Sequence, residues 1–568
     1  MQSHKVIDPV LRVCDKDNRA GSDPAQWSNG KGLGLDTSMK VMAGLLAAGV
    51  HGAFAAAVEP EHVLVTGAYA PQEALTAAVS VLDSEQIRIL NKRSISALLK
   101  TVPGLLVEEQ GGPGGLTAVS IRGAEANFTL VLLDGVPLND PTNSRGGGFD
   151  FANLNMALVE RIEVVRGPLS AVYGSDALAG GSNIVTRTPQ QGHRQEVFSQ
   201  WGEEDFAEVG VSMRGASERF EYSLLAAVRD DGEPVAGSTR DSDSVNLGLA
   251  WEAVPGHRLG ARYRYLDGER SSFPEQSGGP AYALSSDLDL SDYREEVLAV
   301  TWEAGFNATW NSNIRASRFE HEAAYGSPGI PPYTEVPPNV ADTAFTRDEL
   351  QWVNSLSLAP GYRLDVGSDY VEEQGDSVGY LDFFGVQLPT DFSLDRSTTG
   401  VFASLSAQLD QSLLMQASVR YDDPDDYGSE TSINVGADYQ LGGGFALAAN
   451  WGEAFKLPSF FALGHGLVGN PELQPELATS WDLGVAWERY ESLSLQATAF
   501  FNDYQDLVDF DNETFRNVNR RNVETSGVEL QGGWLPFDDL ALQAQLTYTD
   551  IDVKGEDTVL TGRPEWTA

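Results

Sequence analysis

The chain has a single cysteine, Cys14, among 568 residues. A disulfide framework and thiolate metal sites are therefore excluded, and removal of the N-terminus would leave no thiol at all. Histidine is nearly as scarce: there are seven, with no i,i+4 pair that would set two imidazoles on one helix face. The segment GSDALAGG (Gly174–Gly181) is not a nucleophile elbow. No catalytic set stands out, so the expected chemistry is binding and movement, not enzymatic turnover. Cations are few as well, 38 Lys and Arg against 82 Asp and Glu, for a formal charge of -44. That excludes a nucleic-acid binder, which needs clustered basic side chains. The excess of acid has two open explanations, the acidic proteome of a saline habitat or the binding of divalent cations. Long apolar runs are missing too: outside Val41–Ala57, nothing approaches the roughly 18 to 20 residues of a helical membrane span. A closed barrel crosses a bilayer on alternation alone, so low hydropathy leaves the membrane open.

What is present begins with a leader. Met39-Lys40 precedes the apolar, small-residue segment Val41–Ala57, the pattern of a secretory signal peptide over 39–57, with cleavage expected after Ala55 or Ala57. Residues 1–38 have mixed charge and no periodicity, and read as an upstream extension of the reading frame. Behind the leader lies the extended, β-prone heptad Glu61, His62, Val63, Leu64, Val65, Thr66 and Gly67. Further on, SVLDSEQIRILNKRSISALLKTVPG gives a strand, a helix around Ser94–Lys100 and a stop at Pro103-Gly104. TLVLLDG (Thr129–Gly135) and VERIEVV (Val159–Val165) read as strands ended by glycine turns.

Four triplets then follow in fixed order: Ile121-Arg122-Gly123, Asp134-Gly135-Val136, Arg166-Gly167-Pro168 and Tyr173-Gly174-Ser175. Their order and spacing resemble the plug domain of TonB-dependent outer-membrane receptors, nearest to those of the cobalamin-receptor type. The resemblance implies an α+β plug at 71–190, with Glu61–Gly67 in a 58–70 linker as the TonB box, a segment that adds as a strand to the periplasmic TonB protein. A plain first plug strand is the other reading of that heptad. The short linker leaves no room for an N-terminal signalling domain.

From 191 to 568 the texture is alternation in segments of roughly ten residues, with aromatics near the segment ends and short turns (Pro255-Gly256, Gly442–Gly444) alternating with long loops (Asp267–Asp292, His321–Ala344, Phe455–Glu476). This predicts an all-β transmembrane β-barrel of about 17 strands. The family has about 22. The sequence is thus expected to be truncated at its C-terminus, leaving an open sheet with an unpaired edge.

Site residues follow from the resemblance. The apical plug loops, Gly114, Gly115, Leu116 and Thr117 with Pro141, Thr142, Asn143 and Ser144, are expected to touch ligand; unliganded flexible turns are the alternative. Arg122 and Arg166 are expected to meet carboxylates of the barrel wall, with Glu476 at a matching barrel position. On the outer loops Asp230, Asp231, Asp241, Asp243 and Asp267 converge and are expected to hold Ca²⁺, an oxygen-loving ion, unless they only reflect the acidic composition; Asp287–Asp292 reads as a solvated turn. No other cofactor is expected. The implied function is active uptake of a scarce ligand across the outer membrane of a Gram-negative bacterium, cobalamin first and a ferric siderophore second. The implied partners are TonB with ExbB and ExbD and the surrounding lipid and lipopolysaccharide, around a monomer. A passive porin or a surface adhesin fits the plug motifs and the box less well.

Overall fold

The structure, a computed structural model, describes residues 78–110, 114–189, 191–489, 492–537, 540–555, 560 and 562–568. The upstream extension, the leader, the Glu61–Gly67 heptad and Gly111–Pro113 lie outside the described residues.

The first domain is small and mixed. Strands β1 (Ala78–Leu82), β2 (Leu105–Glu109), β3 (Thr117–Ile121), β4 (Thr129–Leu133), β5 (Val136–Pro137), β6 (Val159–Arg166) and β7 (Gly180–Thr186) alternate with helices α1 (Ser84–Leu90), α2 (Ile95–Leu99) and α3 (Ser170–Tyr173). Five of the strands form a sheet in the order β1-β6-β7-β4-β5, with β4 and β7 parallel, while β2 and β3 pair separately. Helix α2 starts where the sequence reading places it, with the Ser94 side chain accepting from the Ala97 N–H at 3.1 Å. The reading omits α1, which Asp83 caps through the Gln86 N–H at 2.8 Å and Asn91 ends in the left-handed region at φ 46°. Helix α2 buries Ile95, Leu98 and Leu99 against a core that includes Phe128, Val131 and Ile162.

The second domain is a barrel around the first. Its long strands are Gly192–Trp201, Ala207–Ala216, Phe220–Asp230, Thr239–Val254, His257–Ser272, Asp289–Asn307, Trp310–Ser327, Asn339–Ala359, Tyr362–Phe383, Phe392–Gln408, Leu413–Pro424, Glu430–Gly442, Phe445–Lys456, Glu476–Arg489, Leu493–Asp511, Arg516–Phe537 and Leu540–Val553. Two short ones, Val386–Pro389 and Trp566–Thr567, bring the closed antiparallel order to 19 strands. Alternation is plain in Leu413–Pro424: Gln416, Ser418, Arg420 and Asp422 are buried toward the lumen, while Met415, Val419 and Tyr421 are exposed outside.

Two expectations are corrected. The sheet is closed, because Trp566–Thr567 pairs with Tyr548 and Thr547 and stands between Leu540–Val553 and Gly192–Trp201 in the ring. The long loops are also shorter than the sequence suggests: His321–Ala344 is mostly strand, paired down to Ser327 and Asn339, and Asp267–Asp292 is strand as far as Ser272 and again from Asp289. In the outer parts of these strands exposed polar residues such as Glu269, Asp292 and Glu322 interrupt the outward apolar row, so alternation, the signal used to find them, fades before the ladder does.

Candidate functional site

The four motif triplets are glycine turns at the barrel wall. Gly123, Gly135, Gly167 and Gly174 all have positive φ, and a Cβ on any of them would come within 3.4 Å of a barrel side chain, respectively Ile551, Arg315, Asp482 and Arg420. Small left-handed turns let the plug backbone approach the wall closely and turn the adjacent side chains onto it.

Arg122 shows the result. Its own φ is 51°, it is 2% exposed, and its guanidinium donates to Asp482 Oδ1 at 2.5 Å and Glu529 Oε1 at 2.8 Å while covering the Phe500 ring at 4.5 Å. Arg166, equally buried, places Nε 3.2 Å from Glu529 Oε2 and donates from Nη1 to Ser80 Oγ of β1 at 2.8 Å. Burial would strip the proton from Arg122, but Asp482 and Glu529 outweigh it and hold the guanidinium more firmly charged than usual. Glu476 is not part of this cluster, and that expectation is corrected. It lies on the same inward row as Asp482 but six residues earlier, about 20 Å along the strand, where its Oε1 accepts from the Val508 N–H at 2.9 Å.

A second ionic group has the opposite polarity. Asp176, in the turn after Gly174, receives Lys456 Nζ at 2.5 Å and lies 3.5 Å from Arg347. Glu373 holds both Arg347 and Arg396 at 2.6 Å. Burial opposes ionisation of Asp176, yet Lys456 and Arg347 bring its carboxyl down to about 2. Likewise Asp150 is buried, and Arg240 and Arg270 more than offset that burial, keeping its carboxyl below the usual range.

The predicted apical loops divide. Gly114 and Gly115 are tied to the wall, their carbonyls accepting from Arg240 Nη2 at 3.3 and 2.7 Å, and the Thr117 N–H donates to Asp150. The Pro141 carbonyl accepts from the Phe461 N–H at 3.1 Å, Thr142 folds onto Asp140, and Asn143 accepts from the N–H groups of Arg145 and Gly147. Leu116 and Ser144 line a cavity of about 340 Å³ at the long-loop end. Glu108, Glu125, Arg145, Lys456, Phe461 and Glu476 share that lining.

The five aspartates are arranged differently from the expectation. Asp230 stands opposite Asp241, and Asp243 opposite Asp267, across neighbouring strands. Asp231, however, pairs with Arg229 at 2.5 Å, and Asp267 accepts from Tyr265 at 2.9 Å with Arg294 3.5 Å away. Among the described residues no group of three or more His, Cys, Asp or Glu is disposed to hold a metal ion. Asp231 and Asp267 thus have cations of their own, whereas Asp230 and Asp241 face each other across the strands.

Sequence reasoning missed Asp482, Glu529, Asp176, Lys456 and the clamping barrel arginines. The signal was available: Asp482 in SWDLG and Glu529 in GVELQ are charges on the inward parity of otherwise alternating strands, where a charge inside a membrane-level segment marks a functional contact.

The plug family model, "TonB-dependent Receptor Plug Domain", matches residues 71–181, and "TonB dependent receptor-like, beta-barrel" matches 255–568. The vitamin B12 transporter BtuB of Vibrio vulnificus is 29% identical over 453 residues, 77% of this chain and 69% of that protein. Among solved structures, the siderophore receptor PirA of Pseudomonas aeruginosa is similar at TM-score 0.65 and 20% identity over 84% of this chain and 85% of its own. The ferric citrate transporter FecA reaches TM-score 0.70 at 15% identity over 87% of this chain and 81% of its own. At those identities the likeness carries the fold alone. With the plug matched over 71–181 and the barrel over more than half of the residues, the chain belongs to the TonB-dependent receptors, plugged β-barrels of the Gram-negative outer membrane.

Proposed function

We propose that this receptor binds cobalamin at its outer mouth and imports it with energy delivered through TonB. The observation that carries the ligand is the 29% identity with a vitamin B12 transporter across 77% of the chain. The mouth is compatible in chemistry. Its cavity is lined by the carboxylates of Glu108, Glu125, Glu476 and Asp509, the cations Arg145, Lys456 and Arg563, amides and the Phe461 ring, so it offers donors and acceptors together to a ligand studded with amides. Transport is then a difference in ligand affinity between plug states, and the coupling between mouth and TonB box is reciprocal.

The test is cyanocobalamin binding to the purified receptor, paired with uptake by cells expressing it. Tight binding, with uptake abolished by deletion of Glu61–Gly67 while binding persists, is the expected outcome. Absence of binding, or uptake that survives the deletion, overturns the reading. A ferric siderophore bound in place of cyanocobalamin would reassign the ligand and keep the receptor class.

A further inference from the structure

We propose that the Lys456–Asp176 ion pair is a latch between the ligand cavity and the plug, opened when an acceptor oxygen of the ligand takes over the Lys456 ammonium. The inference rests on the cavity being the ligand site. Lys456 lines the cavity and also holds Asp176 Oδ1 at 2.5 Å. The chain that follows it is fastened to the plug at two places: the Leu457 N–H donates to Ser175 Oγ at 3.1 Å, beside Asp176, and the Phe461 N–H donates to the Pro141 carbonyl of an apical loop at 3.1 Å. Arg396 anchors that chain from the barrel side, donating to the Pro458 carbonyl at 3.0 Å and covering the Phe460 ring at 4.9 Å. Ser459, Phe461 and Ala462 are cavity wall. One short segment thus faces ligand on one side and the plug turn on the other.

The latch has a second resting position. Asp176 Oδ2 already lies 3.5 Å from Arg347, which Glu373 and the Asn139 carbonyl hold in place. When Lys456 turns toward ligand, Asp176 keeps a cation and avoids the cost of an orphaned buried charge. Asp176 is also held at φ 76°, a left-handed conformation that few residues other than glycine, asparagine and aspartate adopt. Glu476, the cross-strand partner of Lys456, stands on the same cavity with Glu108, Glu125 and Asp509, and these four carboxylates offset Arg145, Arg563 and Lys456, so the lining gives a strongly anionic competitor no advantage. The chemistry selected is therefore a neutral acceptor such as an amide carbonyl.

The experiment uses full-length receptor in detergent, with capture of a soluble C-terminal TonB fragment and cyanocobalamin affinity as separate readouts. Asp176→Asn is expected to raise ligand-free capture roughly fivefold and to tighten cyanocobalamin binding several-fold, because the competitor for Lys456 is weakened. Lys456→Gln is expected to raise ligand-free capture as well, and Lys456→Arg to restore ligand dependence. A merely structural role predicts weaker binding in Asp176→Asn and no gain in capture. Capture that stays as ligand-dependent as in the wild type in both Asp176→Asn and Lys456→Gln overturns the latch. If wild-type receptor fails to bind cyanocobalamin, the cobalamin reading falls, while the ligand-free captures still decide the latch.

Discussion

Buried side chains at the plug surface are arranged so that each charge meets its opposite on the wall, and Asp176 gives this a pH signature. Its folded pKa of about 2 is below the ordinary aspartate value of 3.8. A depressed carboxyl contributes stability that is present above the unfolded pKa and disappears as pH falls through the folded one. Between about pH 4 and pH 2 the plug should therefore lose on the order of 2 kcal/mol. Urea-induced release of the plug, followed across that window, should become easier in the wild type and change less in Asp176→Asn. Equal slopes in the two proteins would mean that the pair contributes nothing to seating. Arg122 makes a related point by conformation: its φ of 51° is a strained choice for an arginine, held because the guanidinium ends between Asp482 and Glu529.

Among elements, the turn joining α3 to β7 is the most constrained by geometry. Gly174 adopts φ 72° and ψ -138°, and a Cβ there would lie 3.1 Å from Arg420 Nη2. Such a conformation costs a residue with a side chain roughly 1–3 kcal/mol. Gly174→Ala should accordingly leave the barrel resistant to heat in gel migration while the plug becomes several-fold faster to cut with protease; a plug as resistant as wild type would show that the turn adapts. The same element explains what was legible. Tyr173-Gly174-Ser175 could be recognised because backbone geometry demands glycine in a fixed place. The outer end of the strand Trp310–Ser327 reads as loop because Arg318, Glu320 and Glu322 stand on its outward row, where apolar groups would have shown the parity. Helix α1 escaped because it is short and has no fully buried residue, its apolar face amounting to Ile87 and Leu90 alone.

At the scale of the whole molecule, a plug sits inside a barrel and is fastened around its circumference. The fold class was legible, since motif order marked the plug and alternation marked the wall. The partners were not: Arg122 and Glu529 are 407 residues apart, and parity says only that Glu529 points inward, not how high in the lumen it sits. Because the fastening pairs are dry, salt should have little grip on them. The Debye length shrinks to about 3 Å at 1 M salt, yet buried pairs are screened far less than exposed ones. Limited proteolysis should therefore find the plug equally protected in 0.1 M and 1 M NaCl, and a steep rise in cutting would show that water reaches the pairs. Much of the grip, moreover, is on backbone: Arg240 holds the carbonyls of Gly114 and Gly115, Arg264 that of Asn153, Arg347 that of Asn139 and Arg420 that of Val172. A carbonyl is the same in every amino acid, so mutations can rewrite the apical side chains, and with them the diet of the cell, while the cork stays in the bottle.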